Sequence, residues 1–234
     1  MWKQTQGHAS RAFRVECVRE QSKTLTRLSA ATSAISGSTT NATAYHLSSA
    51  SGAIGQSAQF DGSSSYAYVA RPAKTDLVND LTLSVWIKTS NSSRYEAIVG
   101  KYDASGQENG FLLRTTPRGT VDVLVGGNNV GSGVRDMEDP TTINDGQWHH
   151  IAAVFRIGTG LNLYVDGQLT STFCTRLVSS PANAPLEMGI ASWPAYGNYF
   201  TGYMDQLAIY DEALWGESVR ALSNRRRPIG KRGR

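Results

Sequence analysis

The sequence has few cysteines and no long apolar segment. Only two of its 234 residues are cysteines, Cys17 and Cys174. Their spacing does not resemble a metal site, and the sequence leaves open whether they pair. No run of eighteen apolar residues occurs, so no membrane-spanning helix is expected. The segment LSAATSAIS near the N-terminus is too weakly apolar for a secretory signal. The serine-nucleophile, P-loop and dinucleotide-binding motifs are missing as well.

Charged residues are also scarce, at 18% of the chain, and they are distributed unevenly. The net charge is +4 over residues 1–40, −6 over residues 41–215 and +6 over residues 216–234. The middle of the chain is therefore acidic and both ends are basic. Because an acidic domain repels nucleic acid, a nucleic acid or other polyanion is expected to contact only the basic tail. The alternative is that the tail is simply a solvated end.

Short strand patterns separated by turns are abundant, and they predict an all-β fold. Asp166 and Gly167 lie between alternating apolar runs, which predicts a tight hairpin with a type I′ turn. Residues 151–155 form a continuous apolar run that is typical of a strand buried on both faces or of a strand at a bulge. Residues 81–88 alternate with period 2, which places Trp86 on the face away from the core. About eleven such strands follow one another at short spacing, as in a β-sandwich or barrel.

The pattern also predicts a division of the chain. Residues 1–43 form an N-terminal extension that is poorly structured or partly helical, with a possible short helix over residues 13–28. Residues 44–222 form the β domain, which ends in a short helix within residues 211–222. Residues 223–234 form the basic tail.

Five phrases in the β domain resemble a known family. They are GQSAQFDGSSSYAYV, LTLSVWIKT, DGQWHHIAAVF, LYVDGQL and GYMDQLAIYDEAL. Their order and spacing resemble the laminin G-like, concanavalin A-like domains over roughly residues 50–222. The resemblance implies a two-sheet antiparallel jelly-roll β-sandwich that binds glycans or other proteins, often with a structural calcium ion. It also implies an extracellular or cell-surface location.

Two aspartates match positions where the resemblance implies a cation site. Asp61 belongs to the FDG turn and Asp205 to the GYMD phrase, and calcium prefers carboxylate and carbonyl oxygens as ligands. Asp61 and Asp205 are therefore the predicted metal ligands. The alternative is structural: Asp61 would cap its own turn, and Asp205 would hydrogen-bond to neighbouring backbone.

Residues 192–200 contain four aromatic side chains and predict a ligand-binding loop. Aromatic rings stack on the apolar face of a sugar, and polar neighbours fix its orientation. The predicted ligand-binding residues are Trp193, Tyr196, Asn198 and Tyr199. The alternative is that the aromatic side chains only cover one end of the sandwich.

The predicted function is a non-catalytic binding module for glycans or proteins. Some concanavalin A-like relatives hydrolyse β-glucans with carboxylates at alternate positions of one strand. The nearest pattern here, residues 136–139, ends at Pro140 and is interpreted as a loop, so no enzyme activity is expected. The alternative function is a structural or assembly protein, such as a virion or surface component, whose basic ends contact acidic partners or nucleic acid.

Overall fold

Two antiparallel β-sheets face each other across an apolar core, and one helix lies on the outer side of one sheet. The computed structural model describes residues 24–28, 42–70, 79–103, 109–126, 135–174, 184–191 and 198–225. Every strand pair between named strands is antiparallel. The predicted all-β sandwich of two antiparallel sheets is confirmed.

Sheet A consists of eight strands. In spatial order they are β13 (Gln168–Cys174), β12 (Gly160–Val165), β11 (Trp148–Arg156), β6 (Leu81–Lys88), β15 (Thr201–Tyr210), β4 (Gln56–Asp61) and β3 (Ser48–Ser51), with β1 (Thr24–Leu28) also pairing with β15.

Sheet B consists of seven strands. In spatial order they are β10 (Arg135–Glu138), β9 (Val121–Gly126), β8 (Asn109–Thr115), β7 (Glu96–Asp103), β14 (Leu186–Met188), β5 (Tyr66–Val69) and β2 (Thr43–Tyr45). The chain passes from sheet A to sheet B through the turn after Asp61, between β4 and β5.

The hairpin between β12 and β13 turns at Asp166 and Gly167, as the sequence predicts. Their φ angles are 50° and 77°, and two consecutive positive values are what a type I′ turn requires. The apolar run of residues 151–155 is the buried strand β11. Ile151 and Phe155 point into the main core, whereas Ala152 and Val154 belong to a second apolar cluster on the outer side of sheet A.

Helix α1 (Gly216–Asn224) covers that second cluster. Val219 is fully buried, and it packs in one cluster with Ala152, Val154 and Tyr164 of sheet A. The helix overlaps the predicted region, residues 211–222, but it ends two residues beyond residue 222. Within the described part of the chain, no helix is long and apolar enough to cross a membrane.

The helix predicted over residues 13–28 is wrong where the structure describes it. Residues 24–28 are strand β1, which pairs Thr24 with Tyr210 and Leu28 with Leu207. Strand β15 is ten residues long, and β4 pairs only with its first four residues. The free hydrogen-bonding edge beyond them is where β1 adds, and such tertiary pairing overrides the weak helix propensity of the segment. The remainder of the predicted helix lies outside the described residues.

Candidate functional site

Four tyrosines gather on the outer side of sheet B, at its β2 edge. In β5 the side chains alternate: Ala67 and Val69 are buried in the core, whereas Tyr66 and Tyr68 point outward and are half-buried. Strand β2 pairs Tyr45 directly with Tyr66. Directly paired residues of neighbouring strands share a face of the sheet, so Tyr45 joins the two rings of β5. Tyr199 completes the group, which we call the tyrosine platform.

The rings of the platform are close together and nearly parallel. The centroids of Tyr45 and Tyr66 are 4.7 Å apart with an interplanar angle of 14°. Tyr45 and Tyr68 are 6.3 Å apart at 9°, and Tyr66 and Tyr68 are 6.5 Å apart at 20°. Tyr199 meets Tyr66 edge-on, at 6.3 Å and 61°. These are favourable aromatic geometries, and the edge strand leaves the group open to solvent, with Tyr45 39% exposed.

The Tyr45 hydroxyl is a hydrogen-bond donor at physiological pH. The neighbouring phenols, Tyr68 first and then Tyr66, raise the pKa of the Tyr45 hydroxyl above its usual value. Because a tyrosine with an unperturbed pKa near 10 is already neutral at pH 7, this shift keeps Tyr45 protonated over a wider range. The platform therefore combines apolar ring surface with neutral polar tips.

The residues before β15 place Tyr199 beside the platform. Asn198 is held by two backbone hydrogen bonds: its N–H donates to the carbonyl of Tyr95 at 3.0 Å, and its carbonyl accepts from the N–H of Ala97 at 2.9 Å. The Asn198 side chain also donates to the Tyr95 carbonyl, at 3.1 Å. Asn198 is exposed and directly precedes Tyr199 in the chain.

A buried glutamate also holds the segment that carries Tyr199. Glu96 is completely buried and accepts hydrogen bonds from the N–H of Thr201 at 2.9 Å and from its hydroxyl at 2.8 Å. The Arg94 guanidinium pairs with Glu96 at 3.2 Å and also donates to the carbonyl of Gly62 at 2.8 Å. A buried carboxylate needs such partners, because an unpaired charge in the interior is very costly. Glu96 therefore anchors the segment that carries Tyr199.

The predicted aromatic loop divides into parts with different roles. Trp193 and Tyr196 lie outside the described residues. Phe200 is fully buried and packs edge-to-face on Phe60 at 5.8 Å, so it covers the end of the core. Tyr199 joins the platform and Asn198 lies next to it. Phe200 therefore has the covering role, whereas ligand binding by Asn198 and Tyr199 stays a prediction.

The sequence interpretation missed three of the four platform residues. Tyr45, Tyr66 and Tyr68 are not among the predicted ligand-binding residues. The signal that could have found Tyr66 and Tyr68 is the YAYV pattern of β5, in which large aromatic residues alternate with small core residues. An aromatic residue on the outward face of a strand suggests either a covering element or a ligand.

Asp61 caps its own turn, the structural role weighed for it. Its Oδ1 accepts from the N–H groups of Ser63 and Ser64 at 2.8 Å and of Ser65 at 3.0 Å, and its Oδ2 accepts from the Ser64 hydroxyl at 2.6 Å. These hydrogen bonds, that from the Ser64 hydroxyl first, hold the pKa of Asp61 well below its usual range. The side chain is therefore a charged turn-capping group.

Asp205 of β15 holds the loop between β3 and β4 in place by a hydrogen bond. The side chain is buried, with 1% exposed, and its Oδ2 accepts from the N–H of Ile54 at 2.8 Å. The loop approaches so closely that a Cβ at Gly52 would lie 2.5 Å from this oxygen. Burial raises the pKa of Asp205, and the Ile54 hydrogen bond opposes that shift. Only glycine fits at position 52 without displacing the carboxylate.

The structure does not bring Asp61 and Asp205 together. Asp61 pairs with Thr201 in the sheet, and Asp205 lies four positions further along β15, which is about 13 Å at the rise of a strand. N–H donors face the oxygens that a cation would need, so the pair does not fit a shared calcium ion. Within the described residues no group of three or more acidic, histidine or cysteine side chains could hold a metal. Calcium binding stays a prediction, to be tested by a melting curve with and without a chelator.

The loop predicted at residues 136–139 is wrong for its first three residues, which belong to β10. Pro140 restricts the preceding residue to extended conformations, so it is compatible with a strand that ends just before it. Asp136 and Glu138 therefore alternate on one face of sheet B, beside Asp122 of β9. Carboxylates at alternate strand positions, which the sequence interpretation excluded, are present.

Ion pairs and hydrogen bonds account for these carboxylates. Arg114 binds Asp122 through two nitrogens at 2.7 and 3.0 Å, and its Nη2 lies 3.2 Å from Asp136. Glu138 accepts from the Thr120 hydroxyl at 2.6 Å and from Arg118 at 2.8 Å. Burial raises the pKa of Asp122 to about 8, against the opposing effect of Arg114. The group is a network of hydrogen bonds and ion pairs that links β8, β9 and β10, with Arg114 and Asp122 buried and Asp136 and Arg118 exposed.

Comparison with curated proteins gives distant relatives. Over 173 residues the chain is 25% identical to the sushi, von Willebrand factor type A, EGF and pentraxin domain-containing protein 1 of Rattus norvegicus, and equally to that of Mus musculus. The match covers 70% of this chain but 5% of each relative. The chain therefore spans a small part of these much longer proteins.

Comparison with solved structures supports the fold. Domain 4 of an extracellular arabinanase from Geobacillus stearothermophilus, solved with arabinotriose, has a TM-score of 0.66 at 21% identity, covering 87% of this chain and all of that chain. The binding domain of Paraclostridial Mosquitocidal Protein 1 has a TM-score of 0.69 at 16% identity, over 86% of this chain and 52% of that one. A structure of botulinum neurotoxin type C, whose cell entry depends on interaction with two ganglioside molecules, has a TM-score of 0.70 at 11% identity. The match covers 88% of this chain and 52% of that one.

A family model of laminin G-like domains matches residues 61–220. This range runs from the capping aspartate of the first turn into helix α1, and it contains most of both sheets. Because the match covers more than half of the chain, this protein belongs to the concanavalin A-like lectin/glucanases superfamily.

Proposed function

We propose that this chain is a glycan-binding module and that the tyrosine platform is its contact surface. One observation carries the proposal: nearly parallel tyrosine rings from β2 and β5 lie at a solvent-accessible edge of sheet B, and Tyr199 from the segment before β15 meets them edge-on. Large aromatic side chains outside the core usually have a partner, which is either a covering element of the same chain or a ligand. Within the described residues no helix lies on this side of the sandwich.

The chemistry of the platform suits a neutral sugar. The ring surfaces offer apolar contact to the C–H groups of a sugar, and the tyrosine hydroxyls and the Asn198 amide offer hydrogen bonds to its hydroxyls. The platform carries no charge of its own while the hydroxyls are protonated. We therefore expect uncharged oligosaccharides to bind best.

The relatives favour the same class of ligand to different degrees. The arabinanase domain is covered along its whole length, and it was solved with arabinotriose. The botulinum neurotoxin type C chain, whose cell entry depends on two ganglioside molecules, is covered over only 52% of its length, so its uncovered half is an equal candidate for holding those ligands. Arabino-oligosaccharides are therefore the first ligands to test. We also propose an extracellular or cell-surface location, and the relatives lend no support to a virion.

Titration calorimetry with arabinotriose, preceded by a glycan array, tests the proposal. We expect Tyr66→Ala to weaken binding at least about tenfold, because aromatic anchors dominate such sites, while the melting curve changes little. Trp215→Ala is the matched control, since Trp215 is 59% exposed and lies before helix α1, on the outer side of sheet A. Equal affinity in the wild type and Tyr66→Ala would remove the platform as the binding surface.

A further inference from the structure

A cavity of about 200 Å³ opens on the sheet A side of the sandwich, where β15 begins and β4 and β6 end. Gln59, Lys88, Ser90 and Tyr203 contribute to its lining. Neither the predicted ligand-binding residues nor the tyrosine platform belongs to it. We call it the Lys88 cavity.

The sheet register explains why these side chains meet. Tyr203 pairs with Gln59 of β4 on one side and with Lys88 of β6 on the other, and Lys88 pairs in turn with Trp148 of β11. Residues that pair across neighbouring strands point to the same face. A row of amide, phenol, ammonium and indole groups therefore crosses the outward face of sheet A, beyond the part that helix α1 covers.

Lys88 is the distinctive group of the cavity. Its Nζ lies 5.7 Å from the centroid of the Tyr203 ring, and the side chain is half-buried. Within the described part of the chain no carboxylate lies at ion-pair distance from it. The charge faces an aromatic ring and the cavity, in a domain whose central part has a net charge of −6. A cation–π contact alone is worth less than a paired anion would be.

Two glycines shape the cavity. Gly202 has a φ of 139°, and a Cβ there would lie 2.3 Å from the carbonyl oxygen of Lys88, so only glycine allows this close approach. At Gly146, whose N–H donates to the Thr89 carbonyl at 3.0 Å, a Cβ would meet nothing within 4 Å. The wall at Gly202 is therefore tight, whereas the side at Gly146 is open to an incoming ligand.

We propose that the Lys88 cavity binds one carboxylate-bearing sugar residue, such as a uronic acid. The carboxylate would pair with the Lys88 ammonium, the ring would pack on Tyr203, and Gln59 and Ser90 would contact the hydroxyls. The volume is below the range of about 300–1,000 Å³ that is typical of drug-sized ligands, which limits the occupant to a single ring. The proposal does not depend on the platform, because the two sites differ in residues and in the charge of the ligand.

A matched pair of ligands tests the role of the carboxylate. Methyl β-glucuronide carries a carboxylate at C6 where methyl β-glucoside carries a hydroxymethyl group, and the two sugars are otherwise the same. Each sugar is titrated into the ¹⁵N-labelled full-length chain, and binding is followed by NMR. We expect the glucuronide to bind at least about tenfold more tightly than the glucoside, as a charge-assisted hydrogen bond provides. The shifts should concentrate around Lys88 and Tyr203, and the advantage should shrink as salt rises. Equal affinities, or no binding of either sugar, would overturn the proposal.

Matched variants test the residues. Lys88→Met keeps the aliphatic stem and should lose the preference for glucuronide, whereas Lys88→Arg keeps the charge and should retain most of it. Tyr66→Ala should leave glucuronide binding unchanged, which separates this site from the platform. A preference that persists in Lys88→Met would overturn the proposal. Sodium sulfate is the last probe: if it bound at the cavity as tightly as the glucuronide, the sugar part of the proposal would be wrong.

Discussion

The outward faces of the two sheets carry similar aromatic residues in different environments. On sheet A, Trp86, Tyr164 and Tyr210 point away from the main core, yet only 4–7% of each is exposed. On the β2 edge of sheet B, Tyr45 is 39% exposed, and Tyr66 is half-buried. In β5 the strand pattern is the same as on sheet A, since each outward aromatic residue alternates with a core residue.

The difference comes from what lies on each face. Residues 211–215 and helix α1 cross sheet A, where Leu214 and Val219 join Tyr164 and Tyr210 in an apolar cluster. The described residues place no helix over the tyrosine platform. An outward aromatic residue therefore belongs to a second core where a later segment returns to cover it. Where no segment covers it, the same residue is available to a ligand.

Disrupting the packing of helix α1 on sheet A should have the largest effect on stability. Val219→Asp introduces a carboxylate into a fully buried position of the second cluster. A buried charge without a partner is very unfavourable, so we expect the free energy of unfolding to fall by more than about 3 kcal/mol. Urea unfolding followed by circular dichroism measures it. Ala221→Asp is the control, because residue 221 is exposed on the same helix and should change stability by less than about 0.5 kcal/mol. Similar losses in both variants would mean that α1 does not cover the sheet as described.

The sequence predicts features that depend on neighbouring residues. The turn at Asp166 and Gly167 follows from the backbone freedom of two adjacent residues, and the buried strand at residues 151–155 follows from a local apolar run. The alternation that places Trp86 outward is local as well. In each case the deciding interactions are close together in the chain, and the structure confirms the prediction.

The sequence does not predict which distant segments meet. Tyr45 and Tyr66 stack only because β2 pairs with β5, although β3 and β4 lie between them in the chain and belong to the other sheet. Likewise, β1 forms because β15 has a free edge. Asp61 and Asp205 match two motifs that together predict a cation site, but the strand register places them far apart. Tyr199 and Asn198 can be chosen as candidates from the sequence because aromatic density in a loop is a local signal, and their role in binding stays a prediction.

Removing the anchor of the segment that carries Tyr199 should have an intermediate effect on stability. Glu96→Ala removes the acceptor of two hydrogen bonds from Thr201 and the ion-pair partner of Arg94. We expect a loss of about 2–3 kcal/mol in unfolding free energy and weaker arabinotriose binding, because Tyr199 loses its fixed position. Glu96→Gln keeps an acceptor for Thr201 and should cost less. Unfolding curves and calorimetry measure the two effects, and unchanged binding in a destabilised Glu96→Ala would show that the segment does not position the site.

The smallest expected effect is a pH dependence of stability, which reports how well water is excluded from the outer face of sheet A. His150 is 1% exposed, its Nε2 lies 2.9 Å from the Ser84 hydroxyl, and burial lowers its pKa to about 4. Asp166 opposes that shift and Arg225 adds to it. The unfolded histidine has a pKa near 6.5, so below pH 6.5 the unfolded chain binds a proton that the folded chain excludes, and stability falls as pH falls.

Between pH 7 and pH 5 we expect this histidine to remove about 2 kcal/mol of stability. The adjacent His149 acts in the opposite direction, because Asp166 and Asp145 raise its pKa, so its contribution is complete at low pH and is lost as pH rises. Urea unfolding of the wild type and of His150→Gln at both pH values isolates the His150 contribution, since His149 is common to both proteins. A covered face keeps His150 neutral because water is excluded from it. The same pH dependence in both proteins would therefore mean that water reaches the outer face of sheet A as freely as it reaches the tyrosine platform.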